Sequence, residues 1–281
     1  MLAAAVVAIA LGGGSRHAAR PPRHVLVAGP AQTALPRPAH TLAAVMAAGN
    51  AEIHRLLALG LPVYCGGPRG REVAFTFDDG PGVYTHFALK KLAAAHERAT
   101  FFDVGKSIVS WPGFLPRELK LAALADHTYT HPFLPALPAA EVSSEFARTA
   151  QMITAQSGQP VDLWRPPYAA TNASIDGIAR RLGLLEILWS VDSRDSLGAN
   201  WSQIIGNVEA GLKPGAIVEL HENRGQTIRA LTTLLPYLHS HHLRSVSLPE
   251  LMASDPPSVA QLRRGWEGCG ERASALGGNG G

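Results

Sequence analysis

The stretch Phe75–Pro81, FTFDDGP, sets two adjacent carboxylates and a Gly-Pro turn at the end of an apolar, β-branched and aromatic run that begins near Glu72. Such a run, closed by a turn signal, reads as a buried strand. Two ionised carboxylates side by side repel, and burying either is costly without a cation or a proton donor. Asp78 and Asp79 therefore require a partner from elsewhere in the chain.

Downstream, apolar runs alternate with amphipathic segments. Strands are predicted over 72–77, 99–104, 161–166, 184–191, 215–221 and 243–248, and helices over 84–99, 139–158, 172–183 and 225–242, with Gly158 and Gly183 as stops. This alternation implies a parallel sheet, open or closed into a barrel, with its site at the C-terminal strand ends. Polar residues fall where that rule expects them. Asp78-Asp79 ends the first strand, Arg165 the third, Asp192 the fourth with Asp195 just beyond, and His221 the fifth. Between the second and third strands, His127 and His131 are expected on a helical turn, at a spacing that chelates one metal ion.

Each signal also has a plainer reading. Histidines spaced H-x-x-x-H are often surface or capping residues, Asp-Asp-Gly-Pro is often only a turn, and a strand-terminal Arg or His is often structural. Their occurrence in order at successive strand ends sets this group apart. His86 and His96 read as helix-surface residues, and His241-His242 as a solvated helix end.

The chain has 281 residues, of which 46% are hydrophobic and 17% charged, with a formal charge of +3. That is a folded protein with room for a large α/β core. The mild basicity suits an acidic wall polymer or a membrane surface and lacks the Lys/Arg clustering of a nucleic-acid binder. Residues 1–14 hold an apolar run of about ten, short of the roughly 20 that span a bilayer, and read as a signal peptide or membrane anchor. Residues 15–64 form a Pro/Ala/Arg-rich linker followed by a helical segment over 40–60, 65–269 the catalytic domain, and 270–281 a flexible tail. Cys65 and Cys269 flank that domain. In an exported chain they read as a bridge tying its ends, the alternative being two unrelated thiols.

TFDDGP, HTYTH, RPPY, DSRD and the strand-borne His221 resemble, in order, the five motifs of the polysaccharide deacetylases, the NodB-homology or carbohydrate esterase family 4 group. The match runs from about residue 72 to 252, roughly two-thirds of the chain. The resemblance implies a distorted, seven-stranded (β/α) barrel and a divalent metal, zinc first, with cobalt or another divalent ion as alternatives. It implies hydrolysis of N-acetyl groups on an N-acetylglucosamine polymer such as peptidoglycan or a chitin-like oligomer. Removal of O-acetyl groups from xylan, or glycan binding without turnover, are the alternatives. A secreted or envelope-bound monomer is expected.

Carried over residue by residue, the resemblance divides the two carboxylates. Asp79 becomes a metal ligand with His127 and His131, and Asp78 the general base, paired with Arg165. Tyr168 supplies a backbone N–H to the oxyanion, and His221 is the general acid, tuned by Asp195 with Asp192 as the alternative. Tyr168, Pro167, Glu219, Leu220 and Trp189 are expected against substrate, with Trp201 an alternative aromatic wall.

Departures accompany the matches. Glu219 stands where the family has an acetate-pocket leucine, Ser196 where it has tryptophan, and Ala169 where it has glycine. Asp103 occupies a usually apolar strand position, for which an exposed polar residue at a strand end is the plainer reading. Asp126 is positioned to bond a backbone group and orient the histidine loop.

Overall fold

Along β1 (Glu72–Gly80), Val73, Phe75 and Phe77 alternate with Ala74, Thr76 and Asp78, and both sets are buried because the strand runs through mid-sheet with both faces covered. The computed structural model describes residues 41–270. Seven parallel strands curl into a half-barrel: β1, β2 (Ala99–Asp103), β3 (Ala122–Asp126), β4 (Leu163–Trp164), β5 (Leu185–Glu186), β6 (Val191–Asp192) and β7 (Ile217–His221). Their order is β5-β4-β3-β2-β1-β7-β6, and β8 (Arg244–Ser245) adds to the start of β1. The distorted seven-stranded barrel expected from the motifs is therefore present.

The helices are α1 (Leu42–Leu57), α2 (Thr85–Ala95), α3 (Gly105–Ser110), α4 (Leu115–Glu118), α5 (Ala139–Ser157), α6 (Ala173–Arg181), α7 (Trp201–Gly211), α8 (Gly225–Ser240), α9 (Leu248–Ser254) and α10 (Val259–Arg263). Their boundaries follow local chemistry. Gly158 takes a left-handed φ of 69° to end α5, and the Asn172 side chain accepts the Ser174 and Ile175 N–H groups to start α6.

Strand alternation divides the core. Phe75, Phe77, Phe101, Val218 and Leu220 face outward onto α2, α7 and α8, where each fully buried side chain of this size contributes about 1.5–3 kcal/mol. Ala74, Phe102 and Ile217 face inward and meet Ile53 and Leu56 of α1 and Leu251 and Met252 of α9. Helices α1 and α9 touch so closely that a Cβ on Gly49 would lie 1.9 Å from the Pro249 carbonyl oxygen. Since β8, just before α9, pairs with the start of β1, this pair closes the barrel end opposite the C-terminal strand ends. The helical segment before residue 65 thus buries its apolar face in the barrel's own core.

Three sequence expectations change. The segment 122–126 is a full strand, absent from the predicted set because Ala-Ala-Leu-Ala-Asp lacks β-branched residues; pairing with β2 on one side and β4 on the other makes it one. The run 184–191 is two short strands, β5 and β6, at opposite edges of the sheet. Its middle crosses the open side of the half-barrel, where Leu188 N–H donates to Val63 O at 2.8 Å. The run 243–248 gives only the two residues of β8 before the Ser247 capping box starts α9.

Cys65 bridges in the antiparallel sense to Ala216 and is disulfide-bonded to Cys269, with Cα atoms 5.9 Å apart. The expected bridge is formed. Among the described residues no helix is long and apolar enough to cross a membrane. The expectations for residues 1–14, for the linker up to residue 40 and for the tail beyond 270 fall outside the described residues.

Candidate active site

Adjacent strand residues ordinarily point to opposite faces. At the end of β1, however, the register with β2 slips between Asp78 and Gly80, and Asp79 turns left-handed with φ 71°. This bulge aims both carboxylates at one place. Asp78 Oδ2 lies 4.0 Å and Asp79 Oδ1 3.7 Å from His127 Nε2.

The HTYTH segment is a loop and not the helical turn expected from its spacing, because Thr128 and His131 take positive φ values of 68° and 57°. Its polar side chains compete with helix formation. Asp126 Oδ1 accepts the Thr128 N–H at 2.6 Å, and Thr128 Oγ1 accepts the His131 N–H at 3.1 Å. From α5, one oxygen of Glu145 accepts the N–H groups of Tyr129 and Thr130 at 2.9 and 2.7 Å. Asp126 therefore orients the loop as expected.

Asp79, His127 and His131 fit a divalent cation. Asp79 Oδ1 is 3.3 Å from His131 Nε2, and one ligand atom from each of the three lies within 4.8 Å of the others. His127 Nδ1 is 2.8 Å from the Arg165 carbonyl oxygen, to which it must donate, so its Nε2 keeps a lone pair toward the trio. Burial works against charge on Asp79, but His127, His221, His131 and the Asn223 amide outweigh it and hold the carboxyl below its usual range. Burial lowers His127. Carboxylate and neutral imidazole are the ligating forms, and this N₂O set leaves room for further ligands, as catalytic zinc sites do.

Beside the trio, Arg165 is fully buried and donates to Asp78 Oδ1 at 2.7 Å and Thr76 Oγ1 at 2.8 Å. Its Nε donates to Ile187 O at 3.1 Å, and its guanidinium carbon sits 4.1 Å from the Phe102 ring centre. Asp78 is thus held by a charge that itself cannot move.

Facing Asp78 in the β1–β7 register is His221. Asp195 grips it twice: Oδ1 lies 2.7 Å from Nδ1, and Oδ2 accepts the backbone N–H at 2.7 Å and the Thr227 hydroxyl. Asp192, the alternative partner, instead accepts the Arg194 N–H at 2.7 Å. Burial disfavours the charged imidazole, but the Asp195 hydrogen bond and the charges of Asp195, Asp78 and Glu219 prevail and raise His221 to about 10. Glu219 shares the inward face of β7, two residues before His221. Burial first, then the Asp78 charge, push it well above the usual carboxylate range.

The expected substrate residues divide. Tyr168 is 67% exposed with φ 59°, and its hydroxyl lies 3.2 Å from His131 Nδ1. Trp189 is half-buried, its ring centre 5.4 Å from the Arg165 guanidinium. The Leu220 side chain does not face the site: strand alternation sends it into the outer core at 0% exposure. Pro167 is likewise buried and shapes the turn that presents Tyr168. Trp201 packs on the outer core under Arg229. Asp103 is not the exposed strand-end residue of the plainer reading: it is fully buried because β2 is covered on both faces.

Sequence reading missed three supports. The Asn223 amide donates to Asp79 Oδ2 at 3.0 Å, Thr227 bonds Asp195, and Glu145 fixes the histidine loop. Asn223 stands two residues past His221, where its position was a usable signal. Nothing in the sequence ties Glu145 to Thr130.

The family model described as polysaccharide deacetylase matches residues 66–187. The peptidoglycan-N-acetylglucosamine deacetylase PgdA of Listeria monocytogenes is 34% identical over 183 residues, covering 64% of this chain and 39% of that protein. The chain thus spans about two-fifths of that relative's length. The chitooligosaccharide deacetylase of Bradyrhizobium sp. (strain ANU 289) is 32% identical over 198 residues, covering 64% of this chain and 90% of that one. Among solved structures, the wild-type carbohydrate esterase family 4 pseudoenzyme BA3943 of Bacillus anthracis superposes with a TM-score of 0.64 at 27% identity, covering 68% of each chain. A mutant of that protein is described as having restored enzymatic activity.

Proposed function

Because the chain belongs to the polysaccharide deacetylase family, carbohydrate esterase family 4, we propose that it hydrolyses N-acetyl groups of an N-acetylglucosamine polymer, peptidoglycan or a chitin-like oligomer. The observation that carries this reading is the pairing of Asp78 with Arg165 and of His221 with Asp195 beside the Asp79, His127 and His131 trio. The trio would hold one divalent ion, zinc by its donor set, which when bound polarises the acyl carbonyl and acidifies water.

The chain's own groups do the rest. Asp78, aimed by Arg165, accepts the proton of the attacking water. The exposed turn at Tyr168 offers its backbone N–H to the carbonyl oxygen as that oxygen gains charge. His221, held protonated by Asp195, donates to the nitrogen as the C–N bond breaks, so the sugar leaves as a neutral amine and the acyl group as acetate. An unprotonated amine leaves badly, so an amide substrate needs this acid.

The Cys65–Cys269 bridge supports an oxidising location, outside the cell or in its envelope, reached through the N-terminal segment as a signal or anchor, with the protein acting as a monomer. The test is acetate release from N-acetylglucosamine oligomers after chelation and zinc add-back, with Asp78→Asn in parallel. Zinc-restored release that vanishes in the variant is expected. Stoichiometric bound metal without release from any N-acetylated glycan would refute the reading.

Glu219 favours a second reading, a glycan-binding relative without turnover, because a buried carboxyl beside Asp78 replaces apolar surface near the reacting groups. A specialised O-acetyl xylan esterase would depend less on His221. Comparable large losses on ester and amide substrates in His221→Ala argue against it.

A further inference from the structure

Three carboxylates that the proposed chemistry does not use meet behind the metal loop. Asp103 ends β2, Glu222 follows β7, and Glu118 comes from α4; one oxygen of each lies within 4.8 Å of the others. All three residues are 0% exposed, and none of their six carboxyl oxygens has a hydrogen-bond partner. Glu118 is the telling member. It belongs to a separate helix and is fully buried, and one of its two unpartnered carboxyl oxygens lies within 4.8 Å of an oxygen of each of the other two.

The chain is built to allow this meeting. Strand β1 lies between β2 and β7, and at its end Gly80 pairs with Asp103 while Glu222 N–H donates to Asp78 O at 3.2 Å. A Cβ on Gly80 would fall 1.4 Å from Glu222 Oε1, so only glycine lets that carboxylate reach across the strand end. Gly80 directly follows Asp79, and whatever fixes the three carboxylates also fixes the loop that presents Asp79.

Three buried carboxylates without donors are tolerated in two ways: they share protons, or they hold a cation. An all-oxygen set suits a hard ion, whereas the imidazole-containing trio of the active site suits zinc. Oxygens up to 4.8 Å apart match the spread around one ion with bonds of about 2.3–2.6 Å, the calcium range. We propose that Asp103, Glu118 and Glu222 form a second, structural site for a calcium-class divalent cation, which ties together the ends of β1, β2 and β7 and holds the Asp79 loop. This site does not depend on the catalytic reading.

The test uses the full chain, chelated and then loaded with one equivalent of zinc. Calcium is titrated by equilibrium dialysis and by thermal unfolding, with Glu118→Gln and Asp103→Asn as variants. One equivalent of calcium beyond zinc is expected, with a rise in Tm of about 5–10 °C at a hundred times Kd. Each variant is expected to bind calcium at least about a hundredfold more weakly while keeping its zinc equivalent. Because stoichiometry and Tm are read on the parent protein, a variant that fails to fold leaves the test intact. Two results would overturn the proposal: no calcium or magnesium bound beyond zinc at millimolar concentration, as proton sharing requires, or calcium bound equally well by both variants.

Discussion

Replacing Asp195 by Asn removes the carboxylate that holds His221 by ring and backbone, at 2.7 Å in both places. In the parent, burial opposes the charged imidazole and the Asp195 hydrogen bond and charge, aided by Asp78 and Glu219, overcome it to place His221 at about 10. Measured from the ordinary 6.5, that displacement is worth about 5 kcal/mol at 1.36 kcal/mol per pH unit. Asp195 supplies the two largest favourable contributions, so Asp195→Asn is expected to lower the His221 midpoint by at least about 2, or about 3 kcal/mol. The direct assay is an NMR titration of the His221 ring in metal-free protein. The basic limb of kcat/KM in the zinc-loaded enzyme should move the same way.

Stability carries a second signature. A group whose pKa is raised by folding stabilises the native state fully below its unfolded value, here 6.5, and loses that contribution as pH climbs through about 10. The destabilisation of Asp195→Asn should thus be largest near pH 6 and shrink toward pH 10.5, read by urea unfolding at the two pH values. An unchanged His221 midpoint, or an equal penalty at both ends, would show that the Asp195 contact does not set the charge of the acid.

Further perturbations separate stability from chemistry. Cys65→Ser with Cys269→Ser opens a loop of 204 residues and should cost about 5 kcal/mol on the chain-entropy account, matched by reductant acting on the parent in urea unfolding. Ala169 sits at φ 53°, where a Cβ is strained, so Ala169→Gly should stabilise by up to about 1 kcal/mol with unchanged zinc stoichiometry; a loss of stability would contradict it. Glu219→Leu replaces a buried carboxyl with an apolar group of similar size and should raise kcat/KM on N-acetylated oligomers about tenfold, about 1.4 kcal/mol, whereas Glu219→Gln should not. Equal rates in all three proteins would remove Glu219 from the acyl pocket.

Much of the barrel was legible in the sequence because its central strands carry a continuous apolar signal. Strand β1 is mostly apolar on both faces up to Asp78, with Thr76 the exception after Glu72, and β2 and β7 are apolar on their outward faces until their last residues. Strand β3 was invisible because alanine has little strand preference of its own, and its state is imposed by two neighbours. The loop at His127 was misread as helical because spacing alone does not show that Glu145, from another helix, takes up two of its backbone N–H groups.

The sequence by itself placed the two aspartates, Arg165, Asp195 and His221 at or near successive strand ends with the two histidines between them, and it is the resemblance of these motifs to the polysaccharide deacetylases that implies their chemistry. It also determined the parallel α/β class, through the alternation of periods. Tertiary structure alone decided how those residues face one another. The bulge at Asp79 gives two neighbouring carboxylates one direction, strand alternation removes Leu220 from the site and leaves Glu219 in it, and closure of the sheet buries Asp103 with Glu118 and Glu222. Periodicity is a local property of the chain, whereas direction and burial depend on which distant element packs against each residue.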